Sequence, residues 1–165
     1  MLAHPSVRRV TEALAGAGVE APIVVLDGAA RTAPAAAAYL GIDVGQIANS
    51  LVFAGIPAGA TDDQAPVPVL VLTSGAHRVD PQVTAAALGL RALGRADADF
   101  VREHTGFAIG GVAPVGHVRP VLTAVDRHLE QYAAVWAAGG HPRTVFETSF
   151  AELVQLTSGR PITVC

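Results

Sequence analysis

The segment Val67-Pro68-Val69-Leu70-Val71-Leu72-Thr73 decides the fold of this chain. It is apolar through Leu72, and an unbroken apolar run of this length is typical of a strand that is buried on both faces of a sheet. We therefore predict a central β-strand over residues 67–73. Strand ends commonly hold ligands, so Ser74, the next residue, is a candidate ligand contact.

Helices and further strands surround this segment, and capping residues mark the helix starts. The predicted helices cover residues 6–15, 33–40, 80–88, 97–104 and 149–157, with Ser6, Thr32, Asp80, Asp97 and Ser149 as their caps. The other predicted strands cover 22–27 (buried), 50–54, 90–93, 121–125, 133–138, 144–146 and 162–164, and residues 55–66 are predicted to form an exposed loop. Short consecutive strands late in the chain, without regular βαβ alternation, indicate the α+β class.

The composition excludes several classes of function. The 165 residues include 11 arginines and no lysine, so the chain has neither a P-loop lysine nor a Schiff-base lysine. The formal net charge is −3, and no basic run exceeds the pair Arg8–Arg9. This charge argues against broad coating of DNA or RNA but is compatible with binding one small end of a nucleic acid. We expect no DNA partner.

Neither a membrane nor a disulfide framework is expected. The apolar runs are short and are interrupted by glycine and proline, and residues 1–9 lack the apolar core of a signal peptide. Cys165 is the only cysteine, so no intrachain disulfide can form. These features favour a cytoplasmic protein.

Two glycine-containing segments are candidates for chemistry. The loop 110–116, Gly-Gly-Val-Ala-Pro-Val-Gly, can direct backbone N–H groups at a carbonyl or phosphate oxygen; the alternative is a tight connection between a helix and a strand. In Gly139-Gly140-His141 the glycines leave room for a ligand beside an imidazole that can orient water or hold a hydroxyl. The alternative is an ordinary turn histidine.

Asn49 is the only asparagine, and it precedes the strand that is predicted to begin at Ser50. Its amide can donate and accept hydrogen bonds but cannot act as a base at neutral pH. The alternative is that Asn49 caps the preceding turn. The six histidines show no HExxH motif and no Cys/His cluster, so we expect no metal and no other cofactor.

Five segments together resemble one family in their order and spacing. They are TAPAAAAYLG at 32–41, QIANSLVF at 46–53, LVLTSGAHRVD at 70–80, TGFAIGGVAPVG at 105–116 and AGGH at 138–141. This pattern resembles the YbaK/EbsC family, the free-standing relatives of the editing domain inserted in bacterial prolyl-tRNA synthetases. The resemblance covers nearly the whole chain from about residue 20.

The resemblance implies a single domain over residues 1–165, with a curved mixed β-sheet flanked by helices. It also implies hydrolysis, without metal or cofactor, of the ester that joins a wrong amino acid to the terminal adenosine of a tRNA. The expected partners are the acceptor 3′ end of an aminoacyl-tRNA and a synthetase. Residues 110–114 match the family's G-x-x-x-P motif, which lies against the aminoacyl ester.

The resemblance also yields a set of expected site residues. The expected catalytic residues are Asn49, Gly110, Gly111 and His141, and the expected substrate-binding residues are Ser50, Ser74, Val112, Ala113, Pro114, Gly139 and Gly140. Asn49 stands where the family pattern has a lysine. Two alternatives to a deacylase therefore stay open: a non-catalytic binding module of the same fold, and a small-molecule hydrolase that uses the same pocket.

Overall fold

The fold is built on one mixed β-sheet of eight strands in a computed structural model that describes residues 1–165. The strands are β1 (Val24–Val25), β2 (Ile47–Pro57), β3 (Val67–Ser74), β4 (Leu90–Arg95), β5 (Leu122–Asp126), β6 (Val135–Ala138), β7 (Thr144–Thr148) and β8 (Arg160–Ile162). Their order is β1-β7-β6-β2-β3-β5-β8, and β4 pairs with the C-terminal half of β2. Because β3 lies between β2 and β5, its predicted central position is confirmed, as are the α+β class and the mixed sheet.

The sheet contains both parallel and antiparallel pairings. The long β2–β3 pair is antiparallel, whereas β2–β6, β3–β5 and β5–β8 are parallel. One edge of β2 pairs with two different strands: residues 47–48 pair with β6 and residues 53–57 pair with β4. This arrangement places the start of β2 next to β6 and the turn that follows β6.

Five helices flank the sheet: α1 (Pro5–Gly16), α2 (Ala33–Leu40), α3 (Pro81–Leu88), α4 (Ala98–Thr105) and α5 (Phe150–Thr157). Four predicted caps are confirmed, since the side chains of Thr32, Asp80, Asp97 and Ser149 accept backbone N–H groups in the first turns of α2 to α5. Two short 3₁₀ turns, Val44–Gln46 and Arg127–Gln131, were not predicted. No helix is long and apolar enough to cross a membrane.

The predicted cap of α1 is wrong. This helix begins at Pro5, and the Nδ1 atom of His4 accepts the N–H of Ser6 at 3.2 Å. Proline at the first helical position has no N–H of its own to satisfy, so the cap moves one residue before it.

Several strand predictions are also corrected. The segment 22–27 forms only the two-residue edge strand β1, whose Val24 and Val25 are about two-fifths exposed rather than buried. The strand β2 extends beyond the predicted 50–54 at both ends, so the exposed loop begins after Pro57. The last strand covers 160–162 instead of 162–164. These errors share a cause, because strand ends depend on the partner strand and not on the local sequence.

The core lies on both faces of the sheet. Leu70 and Leu72 of β3 point towards α1, α4 and α5, in a cluster that includes Val10 and Phe107. Val69 and Val71 point to the other face, where α3 and β4 pack. The alternation explains why β3 is apolar throughout, since each of its faces is covered.

A buried carboxylate joins the ends of β3 and β5. Asp126 accepts hydrogen bonds from the backbone N–H of Ser74 and of His128, and from the hydroxyl of Thr73. It also pairs with Nδ1 of His77 at 2.9 Å. The hydroxyl of Ser74 donates to the carbonyl of Gly45 at 2.7 Å. This network ties β3 and β5 to the 3₁₀ turn Val44–Gln46, which leads into β2.

Candidate active site

A small cavity of about 60 Å³ lies where the start of β2, the β6–β7 turn, the segment before α2 and the glycine loop meet. Its lining includes these residues of the predicted site: Asn49, Ser50, Gly110, Val112 and His141. They come from positions up to 92 residues apart in the chain, between Asn49 and His141. The cavity adjoins an open groove of about 780 Å³ that shares Asn49, Ser50, Gly110 and Val112 with it.

Asn49 lies within β2, opposite Thr73 of β3, and is not the cap of a turn. Asn49 is among the residues that line both the cavity and the groove, and its side chain makes no hydrogen bond to the protein. An amide with no protein partner at the edge of a cavity is free to donate to and accept from a ligand.

Ser50 carries the only buried side-chain polar atom without a hydrogen-bond partner. The strand places it beside Asn49, and it lines the same cavity. Burying a hydroxyl without a partner costs free energy, so such an atom in a native fold requires an explanation. The Oγ of Ser50 has almost no surface accessible to a water-sized probe, so a ligand in the cavity would reach it only after a local rearrangement.

The glycine loop offers backbone N–H groups, but not all of those expected. Gly111 donates to the carbonyl of Ala108 at 3.0 Å, so its N–H is occupied. The N–H groups of Gly110, Val112 and Ala113 have no acceptor within the protein. Gly110 has φ of +87°, a left-handed conformation that favours glycine. Because only Gly110 and Val112 line the cavity, these two supply the free donors there.

His141 is half-buried in the β6–β7 turn, and its ring is held in one orientation. Nδ1 accepts the N–H of Arg143 at 3.1 Å, so the neutral ring carries its hydrogen on Nε2. Burial lowers the pKa of His141, and the cationic groups of His4, Arg143 and Arg31 lower it further. The ring is therefore neutral at pH 7, and Nε2 can donate a hydrogen bond into the site.

The two glycines before His141 are required for packing. A Cβ on Gly139 would lie 2.8 Å from Oγ1 of Thr144, and one on Gly140 would lie 2.7 Å from the carbonyl oxygen of Ser6 in α1. Gly140 also has φ of +104°. Neither lines the cavity. Because Gly139 and Gly140 have no side chains, the turn that carries His141 can pack closely against β7 and α1.

The remaining predicted residues lie behind the cavity wall. Ala113 is fully buried, and Pro114 lines a different groove on the far side of the loop. Ser74 is fully buried, and its hydroxyl already binds Gly45 and Ala76. These residues support the site without lining it.

Sequence reasoning missed several lining residues. Ala33 and Ala36 come from the start of α2, Arg31 and Thr32 come directly before it, and Trp136 comes from β6. Thr32 carried a signal as a helix cap, and Ala33 and Ala36 lie in the segment 32–41 that resembles the family. Nothing local in the sequence marks an arginine or a tryptophan as part of a cavity that distant strands complete. No group of three or more His, Cys, Asp or Glu side chains is arranged to hold a metal ion.

The comparisons with known proteins identify the family. The family model of the aminoacyl-tRNA editing domain matches residues 27–156, so the chain belongs to the aminoacyl-tRNA editing domain family. The resemblance to the YbaK/EbsC family is thereby confirmed.

Particular relatives cover most of the chain. A crystal structure described as that of a "putative trans-editing enzyme for prolyl tRNA synthetase" is 40% identical, with a TM-score of 0.81, over 97% of this chain and 96% of that one. A structure from work on epitope backbone grafting onto scaffold proteins is 38% identical, with a TM-score of 0.84, over 98% and 97% of the two chains. The "Putative Cys-tRNA(Pro)/Cys-tRNA(Cys) deacylase EbsC" of Enterococcus faecalis is 26% identical over 129 residues, 78% of this chain and 74% of EbsC.

Proposed function

We propose that this protein is a trans-editing aminoacyl-tRNA deacylase that acts in the cytoplasm on the acceptor 3′ end of a mischarged tRNA. The observation that carries the proposal is the convergence of unpartnered polar groups on one cavity. The Asn49 amide and the N–H groups of Gly110 and Val112, three residues that line this cavity, all lack protein partners. A synthetase is a further expected partner, because the similar solved structure is described by reference to prolyl-tRNA synthetase.

The proposed reaction is hydrolysis of the ester by water. The water oxygen bonds to the ester carbonyl carbon, the carbonyl oxygen becomes negative, and the bond to the ribose oxygen then breaks as that oxygen gains a proton. The N–H groups of Gly110 and Val112 stabilise the developing oxyanion, an interaction that is typically worth about a hundredfold in rate per donor. Nε2–H of His141 holds the substrate by a hydrogen bond.

No side chain of the cavity is placed to act as a strong base. Asn49 cannot take a proton at neutral pH, and Nδ1 of His141 is occupied. In the proposed mechanism the vicinal hydroxyl of the terminal ribose therefore helps to position and activate the water. The protein contributes orientation and electrostatic stabilisation.

The alternative is a binding module without turnover. It is favoured by Asn49, which replaces the family lysine, and by the lack of any carboxylate in the lining of the cavity. Such a module would hold the same aminoacyl-tRNA end and leave the ester intact.

The size of the cavity favours a small amino-acid side chain. Its volume is about 60 Å³, and its walls include Ala33, Ala36, Ile47 and Trp136. One water occupies about 10–15 Å³ on the same kind of measure, so only a few heavy atoms fit. We expect a small apolar side chain to enter and a larger one to be excluded.

A deacylation assay across a panel of mischarged tRNAs, with a chelator present, tests the proposed function. We expect hydrolysis of esters of small amino acids and at least a tenfold lower kcat/KM for Ala36→Val, which narrows the cavity. Ala38→Val is the control, since Ala38 is exposed on the same helix and has the same loss of helix propensity. Binding of aminoacyl-tRNA with no hydrolysis of any ester would contradict the enzyme and support the binding module.

A further inference from the structure

The cavity and the groove contain one permanent charge. Arg31 is the only arginine, aspartate or glutamate among the residues that line either of them. It directly precedes Thr32, the cap of α2, and its side chain extends over the glycine loop. A Cβ on Gly110 would lie 3.6 Å from Cγ and 3.7 Å from Nη1 of Arg31.

The guanidinium of Arg31 is free of protein partners. It makes no ion pair, and none of its donors forms a hydrogen bond within the protein. Other arginines near the site are occupied. Arg9 binds the carbonyls of Gly106 and Gly116, and Arg143 binds that of Leu26. A free guanidinium has a planar set of donors that matches two oxygens of a phosphate.

A second permanent cation, Arg143, lies near Arg31 although the whole chain carries a net charge of −3. The rings of His4 and His141 also lie nearby, 5.2 Å apart. Of the two ion pairs, Arg119–Glu103 lies outside the cavity and the groove, and His77–Asp126 contributes only the imidazole of His77 to the lining of the groove. A concave site with positive charge and no compensating carboxylate concentrates anions.

The family pattern places a lysine at position 49, on β2, whereas this chain has Asn49 there and Arg31 on the segment before α2. Both residues line the same cavity. We propose that Arg31 takes the place of the absent lysine as the anion-binding residue of this site and, provided that the proposed function holds, binds a phosphate group at the 3′ end of the tRNA.

The anion site is tested first without any RNA. Inorganic phosphate should raise the Tm of the parent protein and of Arg119→Gln, and should raise that of Arg31→Gln much less. Arg119 is a matched control because it is exposed and lies outside the cavity, with only a long 4.0 Å contact to Glu103. Equal effects of phosphate on parent and Arg31→Gln, including no effect on either, would overturn the anion site.

The second arm uses an uncharged RNA hairpin that ends in the tRNA acceptor sequence. Arg31→Gln should weaken binding about tenfold and reduce the slope of log Kd against log salt by about 0.7, as for one lost phosphate contact on a single strand. The double variant Arg31→Gln/Asn49→Lys should recover most of the lost affinity for the hairpin and most of the lost salt slope. If Arg31 has only a structural role, a positive charge introduced at position 49 on β2 should recover neither the affinity nor the salt slope.

The outcomes separate this inference from the proposed function. A phosphate effect that depends on Arg31, together with no hydrolysis of any mischarged tRNA, would support the anion site and contradict the deacylase. The opposite result is also possible to recognise. If the parent hydrolyses a mischarged tRNA, and if the affinity for the hairpin and the salt slope are the same in the parent, Arg31→Gln and Arg119→Gln, the deacylase is supported and the role of Arg31 is overturned.

Discussion

Asn49 is the residue at which this chain departs from the pattern of its family, and its position in the structure makes the departure testable. It lines the same cavity as Gly110 and Val112 of the glycine loop, and its amide has no protein partner. An asparagine there acts through neutral hydrogen bonds, whereas the lysine of the family would add charge.

Substitutions of Asn49 should therefore distinguish the effect of its neutral hydrogen bonds on binding and turnover from the effect of charge at this position. Asn49→Asp removes the amide donor and adds repulsion towards phosphate or ester oxygens, so we expect kcat/KM to fall by a factor that corresponds to about 2 kcal/mol. Asn49→Lys should tighten tRNA binding and steepen its salt dependence by about one counterion. Steady-state deacylation and binding at several salt concentrations measure both effects.

Two results with the Asn49 variants would change the interpretation of this residue. If both variants bind tRNA and turn it over like the parent, Asn49 lies outside the functional site. If the parent shows no turnover and Asn49→Lys gains it, the natural protein is the binding module.

At the scale of elements, α1 holds the loops that shape the site. Nη2 of Arg9 donates to the carbonyl of Gly106 at 2.7 Å, Nε donates to that of Gly116 at 3.3 Å, and the guanidinium lies 4.8 Å from the centre of the Phe107 ring. The carbonyl oxygen of Ser6 in the same helix packs against Gly140. This helix therefore supports both the glycine loop and the His141 turn.

Removing the guanidinium of Arg9 should loosen this attachment. We expect Arg9→Gln to lower the free energy of unfolding by about 2 kcal/mol, because two carbonyls lose their donor and the ring loses its cation. Arg8→Gln is the matched control, since Arg8 is the adjacent residue of the helix, is exposed and makes no side-chain hydrogen bond. Urea unfolding curves that shift equally for both variants would show that Arg9 does not anchor α1.

At the scale of the whole molecule, two histidines link stability to pH. Burial lowers the pKa of His117, and Arg9 lowers it further, although the hydrogen bond between Nε2 and the carbonyl of Ala113 at 2.7 Å opposes the shift. The pKa of His141 is lowered in the same direction. Since the unfolded chain binds protons to these groups more readily, folded stability rises with pH across this range.

The contribution of these two histidines to the free energy of unfolding should therefore have its full value above the ordinary histidine pKa of about 6.5. It should decline as the pH falls below that value. Unfolding free energies at pH 7.5, 6.5 and 5.5 measure this dependence. His117→Gln should give a shallower decline, because it removes one of the two groups whose pKa the fold lowers. A parent stability that is constant or rises towards pH 5.5 would show that these histidines are not held neutral by the fold.

The amino-acid sequence by itself determined the features that depend on a few neighbouring residues. The caps Thr32, Asp80, Asp97 and Ser149 each bind an N–H two or three residues ahead, so the starts of four helices follow from local chemistry. The apolar run of β3 indicated a strand covered on both faces. Five segments in order indicated the family.

Only the tertiary structure decided what each polar group of the site is free to do. Residues 49, 110 and 141 become neighbours through the pairing of β2 with β6 and the packing of α1 on their turns, and no local pattern encodes those contacts. The occupied N–H of Gly111, the unpartnered Oγ of Ser50 and the free guanidinium of Arg31 follow from this packing. Hydrogen bonds and burial between distant segments are set by the whole fold, because each group's partner comes from another part of the chain.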